Sequence, residues 1–136
     1  MITLREAVET KNLEAVDELL AEDVVFRSPV AFKPYPGKHI TSAILHQVVE
    51  VFSDFRYVRE LRDGENEVLV FEAKVGDLSI TGADFVVYDD AGKITDFMVM
   101  VRPLKAAQQL ADEMAARYPA IVAAAEASLA AEASSS

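Results

Sequence analysis

Apolar residues recur every three or four positions over residues 3–20, which is the spacing of one face of a helix. A polar break ending at Asn12 divides this stretch, so it predicts two short helices, with Asn12 as the cap of the second. Thr3 and Glu6 form a capping-box pattern at the start of the first helix. Helical spacing returns from His39 to Phe52 and predicts a third helix.

Extended segments are predicted where β-branched and aromatic residues replace the helical pattern. Pro29 ends the first of them, and short connections rich in Asp and Gly separate the later ones. Short connections join antiparallel neighbours, because a parallel crossover takes a dozen or more residues. Gly82 lies inside one segment and predicts a bend that lets the sheet curl. The predicted strands are Asp23–Ser28, Phe55–Arg62, Glu67–Val75, Leu78–Tyr88 and Lys93–Arg102.

The sequence after Pro103 is a strong helix former with an apolar stripe. Pro119 is expected to end or kink this helix. The remaining residues are rich in alanine and end in three serines, which predicts a weakly helical or frayed tail. The 136-residue length suits a single domain. We therefore expect one domain over residues 1–118 and a tail over residues 119–136.

Composition excludes several classes of function. The chain carries 23 acidic and 13 basic residues and a net charge of -10, so we expect no nucleic-acid partner. The absence of cysteine excludes disulfides, thiolate catalysis and Cys-ligated zinc, and it suits a reducing compartment. No apolar run has the length of a signal peptide or of a membrane helix. We expect a cytoplasmic protein without a membrane partner.

The last two predicted strands are apolar on both faces, at Phe85–Val87 and Phe97–Val101. One face meets the helices, and the other needs a second layer of protein. A partner subunit provides that layer most economically, so we expect a homodimer formed through the sheet. The alternative is that the C-terminal segment folds back over the same face.

Three segments, taken in order, resemble the NTF2-like superfamily and its SnoaL-like and ketosteroid-isomerase-like branches. They are LREAVETKNLEAVDELLAEDVVFRSP, PYPGKHITSAI and TGADFVVYDDAGKITDF, and the resemblance spans about residues 3 to 102. It implies an α+β, cystatin-like cone, in which a curved antiparallel sheet wraps around the N-terminal helices, here with an additional C-terminal helix. It also implies a mostly apolar pocket for a small apolar ligand and dimers formed through the sheet.

The ketosteroid-isomerase-like branch has a general-base Asp before a proline, a Tyr on the first helix and a protonated Asp on a later strand. The base position here is Ser28 and the Tyr position falls near Leu4, so only Asp84 matches. Serine without a partner base does not abstract a proton alpha to a carbonyl, which argues against steroid-type isomerisation. Arg27 and Arg59 together with Asp84 leave an arrangement of the epoxide-hydrolase kind open.

Asp84 is the candidate catalytic residue, because its apolar neighbours would desolvate the carboxyl group and raise its pKa. The alternative is a structural carboxylate paired with an arginine. Ser28 and Tyr57 are candidate orienting groups, although Ser28 equally suits a turn cap. Two-residue alternation and strand pairing predict the pocket walls, unless the same residues fill a closed core. The predicted walls are Val86, Tyr88, Phe97, Val99 and Val101.

No metal site and no cofactor are predicted. His39 and His46 lie seven residues apart, about 10 Å along a helix, which is too far for one ion. We expect His46 to be exposed, whereas His39 at the helix entrance could reach the pocket rim. Glu72 and Lys74 alternate with the apolar residues of their strand and are expected to face outward, unless a bulge turns Glu72 inward as a second carboxylate.

Two functions remain open. The first is an acid/base enzyme, such as an isomerase, cyclase or dehydratase, that acts on a small apolar molecule with Asp84 as acid or hydrogen-bond donor. The second is a noncatalytic ligand-binding or protein-interaction module of the same fold. An Asp84 that faces a cavity without an arginine partner favours the enzyme, and a salt bridge favours the second function.

Overall fold

The computed structural model describes residues 2–135. The chain begins with two short helices, continues with strands and a third helix, and ends with a long helix. The helices are α1 (Leu4–Glu9), α2 (Leu13–Leu19), α3 (Lys38–Val51) and α4 (Leu104–Ser135), and the strands are β1 (Leu20–Arg27), β2 (Tyr35–Pro36), β3 (Phe52–Asp63), β4 (Asn66–Val75), β5 (Leu78–Tyr88) and β6 (Ile94–Arg102).

The two N-terminal helices begin at the caps that the sequence predicts. The Thr3 hydroxyl accepts a 3.1 Å hydrogen bond from the backbone N–H of Glu6, and the Asn12 side chain accepts one of 3.1 Å from Ala15. Such caps satisfy N–H groups that have no partner within the helix. Lys11 adopts a positive φ of 55° between the helices, which turns the chain from one to the next. The two-helix prediction is confirmed.

The six strands form one curved sheet in the order β2-β1-β6-β5-β4-β3. All neighbours are antiparallel except β1 and β6, which pair in parallel. This pair corrects the expectation of a wholly antiparallel sheet. The chain between β1 and β6 is long enough to contain α3 and four strands, so a parallel crossover is available to it. The α+β class and the cystatin-like architecture are confirmed.

A close approach at Gly82 shapes the concave face of the sheet. Gly82 pairs with Phe71 on β4, and a Cβ atom on Gly82 would lie 2.3 Å from Cζ of that ring. Only glycine leaves room for an aromatic ring to lie directly on the strand. Alternate residues of β4 and β5 point to this face and are buried, including Leu69, Ile80 and Val86. The core therefore lies between the concave face and the helices.

Helix α4 extends over the segment that was predicted to be a weakly helical or frayed tail. It continues through Pro119 to Ser135, and Ile121 in its second half is only 1% exposed. Arg117 bonds the Gln47 side chain at 2.8 Å and lies beside the end of α3. Packing of the apolar side of a helix outweighs the one hydrogen bond that a proline removes. Within residues 2–135 no helix, α4 included, has the length and apolarity needed to cross a membrane.

Candidate functional site

A cavity of about 700 Å³ lies between the concave face of the sheet and helices α3 and α4. This volume is within the range of small-molecule sites. Its walls are mainly apolar, and a cluster of aromatic rings from β3 and β4 forms one side. In that cluster the Phe55 and Phe71 rings are stacked at 4.9 Å, and the Phe55 and Tyr57 rings meet edge to face at 4.9 Å. Exposed charged side chains at its edge are Glu9, Lys11, Asp54 and Asp112.

Asp84 contributes a buried carboxyl group to the cavity wall. It is 6% exposed, and its Oδ2 accepts a 2.7 Å hydrogen bond from the hydroxyl of Tyr57. Within the described chain Asp84 forms no ion pair with a lysine or arginine. Burial raises the pKa of Asp84 to about 7, with a smaller increase from the charge of Glu67, while the Tyr57 hydrogen bond lowers it. Both protonation states of this carboxyl are therefore populated near neutral pH.

The backbone of Tyr57 is held by helix α1. The guanidinium of Arg5 donates to the Tyr57 carbonyl at 3.4 Å, and the Tyr57 N–H donates to the Glu9 carboxylate at 3.4 Å. Arg5 and Glu9 also pair with each other at 3.3 Å. The pairing of β3 with β4 shifts register on both sides of Tyr57, so the ladder is irregular at this point. The α1 side chains thus fix the residue whose hydroxyl reaches Asp84.

Comparison with known proteins gives the family. The sequence model of the SnoaL-like domain family matches residues 3–97 of this chain. The chain belongs to the SnoaL-like domain family. No curated protein matches this SnoaL-like chain.

Solved structures of similar proteins share its fold. A steroid delta-isomerase from Pseudomonas aeruginosa is 44% identical, with 87% of this chain and 88% of that chain covered and a TM-score of 0.81. An uncharacterised protein with a cystatin-like fold from Silicibacter pomeroyi is 38% identical over 84% and 81% of the two chains, with a TM-score of 0.80. An NTF2-like protein of unknown function from Mesorhizobium loti is 17% identical over 73% and 84%, with a TM-score of 0.65, and shows the fold alone.

The SnoaL-like chain holds a second tyrosine–carboxylate pair outside the cavity. The Tyr88 hydroxyl donates to Oε1 of Glu67 at 2.6 Å. Arg62 lies 3.7 Å from the same carboxylate, and its guanidinium lies 4.4 Å from the centre of the Tyr88 ring. Glu67 was not among the residues predicted to face inward. The sequence does indicate its orientation, because Glu67 lies two residues before the apolar Leu69 and alternate residues of a strand share a face.

The predicted site residues divide into two groups. Ser28, Tyr57, Asp84, Phe97 and Val99 all line the cavity. Ser28 also accepts a 3.2 Å bond from the N–H of Val30, as a turn cap does.

The other predicted walls do not line the cavity. Val86 and Tyr88 share the face of Asp84 but are buried in the closed core farther along β5, where Tyr88 bonds Glu67. Val101 is partly buried and packs against the core. The face was therefore predicted correctly for Val86 and Tyr88, whereas the extent of the cavity along the strand was not.

The residues at the other positions suggested by the family resemblance do not supply a base. Leu4 lines the cavity where the isomerase-like branch has a tyrosine. Arg27 lies outside the cavity, where its Nε is 3.1 Å from Oδ2 of Asp96, and Arg59 is exposed. The epoxide-hydrolase-like arrangement with Asp84 is therefore not formed.

The histidines and the charged pair on β4 lie outside the cavity. His46 is partly exposed and lies 3.0 Å from the Asp17 carboxylate. His39 does not reach the cavity rim, because the end of α4 packs against it. Glu72 and Lys74 face outward as predicted, and Glu72 pairs with Arg56.

Proposed function

We propose that this SnoaL-like chain is an enzyme that uses Asp84 for acid/base chemistry on a small, mostly apolar molecule bound in the cavity. The observation that carries the proposal is the Asp84 carboxyl in the cavity wall, with the Tyr57 hydroxyl as its partner and no arginine paired with it among residues 2–135. A catalytic group works best when its pKa lies near the operating pH. A pKa of about 7 meets that condition.

One carboxyl group is enough for two reactions of this class. In a dehydration, protonated Asp84 gives its proton to a ligand hydroxyl, the C–O bond breaks and water leaves. The Asp84 carboxylate then takes a proton from the adjacent carbon, which forms the double bond and restores the acid. In a double-bond shift, the carboxylate removes a proton from one carbon of an enone and returns it to another. In both reactions Tyr57 stabilises the carboxylate form by donating to Oδ2.

The ligand we propose is a neutral ring compound with one oxygen function. The apolar walls suit the ring system, and Asp84 and Tyr57 suit a carbonyl or hydroxyl oxygen. The cavity edge carries three carboxylates and one ammonium group, which disfavour an anionic ligand. The similarity to the steroid delta-isomerase from Pseudomonas aeruginosa supports ring enones as the first compounds to test.

The test combines binding with turnover. Thermal-shift measurements with steroid enones and polycyclic ring alcohols identify ligands, and turnover of each is then followed in wild type and Asp84→Asn. We expect Asp84→Asn to bind but to lose activity by about 10²-fold to 10⁴-fold. Glu72→Gln is the control, because it alters a carboxylate that pairs with Arg56 outside the cavity. Unchanged turnover in Asp84→Asn would eliminate the proposed role.

The second candidate function is noncatalytic ligand binding. Ser28 and Leu4, at the positions of the base and the tyrosine in the isomerase-like branch, favour it. In that case wild type and Asp84→Asn would show equal thermal shifts, and neither would convert any ligand that binds.

We also propose a homodimer formed through the outer face of the sheet. Val58 and Met100 are about half exposed on strands of this sheet, and α4 packs against α3 on the inner side. Exposed apolar surface of this kind is typical of an interface. Sedimentation of Met100→Lys is expected to show monomers, whereas Leu129→Lys, at an exposed site on α4, keeps the dimer. A monomeric wild type would contradict the proposal.

A cytoplasmic location and the lack of a nucleic-acid partner are part of the same proposal. The absence of cysteine and the net charge of -10 support them. Cell fractionation and gel-shift measurements with duplex DNA test the two points.

A further inference from the structure

Three side chains from separate elements converge outside the cavity. They are Glu22 of β1, His39 in the first turn of α3 and Glu132 in the last turns of α4. One potential ligand atom of each lies within 4.8 Å of those of the other two. The sequence separates these residues widely, so only the fold brings them together.

The imidazole of His39 is held in an orientation that suits metal binding. Its Nδ1 lies 2.6 Å from the Ser128 hydroxyl, and its Nε2 lies 2.6 Å from Oε2 of Glu132. When Nδ1–H donates to Ser128, Nε2 presents its lone pair toward the Glu132 carboxylate. Metal-binding histidines are commonly fixed by such a hydrogen bond from the other ring nitrogen.

We propose that Glu22, His39 and Glu132 bind one Zn²⁺ ion. One imidazole nitrogen and two carboxylate oxygens are zinc ligands, and water would complete a tetrahedral site. Ca²⁺ and Mg²⁺ prefer sets made of oxygen alone, so the histidine favours zinc. The two carboxylates also balance the charge of the ion.

The geometry needs movements of at most about 1.5 Å, because ligand atoms that lie up to 4.8 Å apart must close to their spacing on the ion. Ligand atoms on a tetrahedral zinc ion are about 3.3 Å apart, since each lies about 2.0–2.1 Å from the metal. The 2.6 Å contact between His39 and Glu132 therefore opens by less than about 1 Å. The Glu132 side chain that makes this contact is 60% exposed.

The ion would connect the end of α4 to β1 and α3. Helix α4 lines the cavity through Leu110, Met114 and Ile121, so the site would hold the helix that forms one cavity wall. This role is structural, and it does not depend on the reaction proposed for Asp84.

The test uses the full chain without a histidine tag, freed of metal by chelation. Isothermal titration with ZnCl₂ is expected to give one site. The midpoint of thermal unfolding is expected to rise by about 5 °C or more once the free zinc concentration reaches about a hundred times Kd. Co²⁺ as a spectroscopic probe is expected to give the visible absorption of a four-coordinate site.

Variants assign the ligands. His39→Gln and Glu22→Gln are expected to weaken zinc binding at least about tenfold, because each loses one ligand. His46→Gln is the matched control and is expected to bind zinc as wild type does, since His46 lies beside Asp17 instead. Glu22→Gln leaves the His39–Glu132 contact intact, so it remains informative if His39→Gln does not fold. Absence of zinc binding in wild type, or equal binding by wild type and Glu22→Gln, would overturn the proposal.

Discussion

The hydroxyl of Tyr57 on β3 reaches the carboxyl of Asp84 on β5 at 2.7 Å, across the intervening strand β4. Two strand spacings of about 4.8 Å separate the backbones. Tyr57 pairs with Phe71, and Phe71 pairs with Gly82, two residues before Asp84. A long side chain on a concave face bridges this gap, so the curvature of the sheet creates the contact.

Replacement of Tyr57 by phenylalanine is expected to raise the pKa of Asp84 above about 7, because the hydrogen bond that lowers it is lost. A buried carboxyl without its donor also costs about 1–3 kcal/mol of the free energy of unfolding. The decrease in the free energy of unfolding of Tyr57→Phe should be larger at pH 8 than at pH 5, since the charged form of Asp84 is destabilised most by loss of the hydrogen bond. Urea denaturation at the two pH values measures this difference. An equal loss at both would contradict the prediction.

Asp84 itself makes stability depend on pH. Its pKa rises from 3.8 to about 7 on folding, so between these values the folded state binds more protons than the unfolded state. The free energy of unfolding therefore falls as pH rises from about 4 to 7, in total by an amount on the order of 4 kcal/mol. Asp84→Asn resembles the protonated form and lacks this slope.

Comparing wild type with Asp84→Asn isolates this contribution, because other titrating groups are present in both proteins. We expect the variant to gain stability relative to wild type as pH rises from 4.5 to 8. Urea denaturation across this range measures the difference, and a constant difference would show that Asp84 is ionised throughout.

The contact of Gly82 with the Phe71 ring predicts a sensitive position. In Gly82→Ala the new methyl group would lie 2.3 Å from Cζ of Phe71 and 2.9 Å from the Met100 carbonyl. We expect a destabilisation of about 1–3 kcal/mol, typical of overpacking. Addition of Phe71→Leu should recover part of this loss, because it shortens the side chain that clashes. Thermal unfolding of the single and double variants measures the coupling between the two substitutions. Strictly additive decreases in stability would contradict the predicted clash.

The second half of α4 offers a matched pair of variants. Ile121 is 1% exposed and lines the cavity, whereas Leu129 on the same helix is 52% exposed. Ile121→Ala is expected to cost about 2–5 kcal/mol, and Leu129→Ala less than about 0.5 kcal/mol. Chemical denaturation separates the two. Equal small effects would mean that the helix does not pack beyond Pro119.

Local signals in the sequence were sufficient for much of the fold. Thr3 and Asn12 cap the helices as their positions predict, because capping depends on neighbouring residues alone. Two-residue alternation correctly placed Val86 on the face of Asp84, since it depends only on strand geometry.

Long-range contacts were beyond such signals. The irregular pairing around Tyr57, which accompanies its contacts with α1, follows from the packing of distant segments. The continuation of α4 through Pro119 likewise depends on partners in α3. Glu67 is a different case, because its inward parity was readable, but its partner Tyr88 was not.

The decisive measurement is the titration of Asp84 in the folded protein. The ¹³C resonance of its carboxyl carbon, assigned by its absence from Asp84→Asn, can be followed by NMR from pH 4 to 9. We expect a midpoint near the pKa of about 7, with a higher midpoint in Tyr57→Phe. A wild-type midpoint near the ordinary value of 3.8 would contradict this expectation.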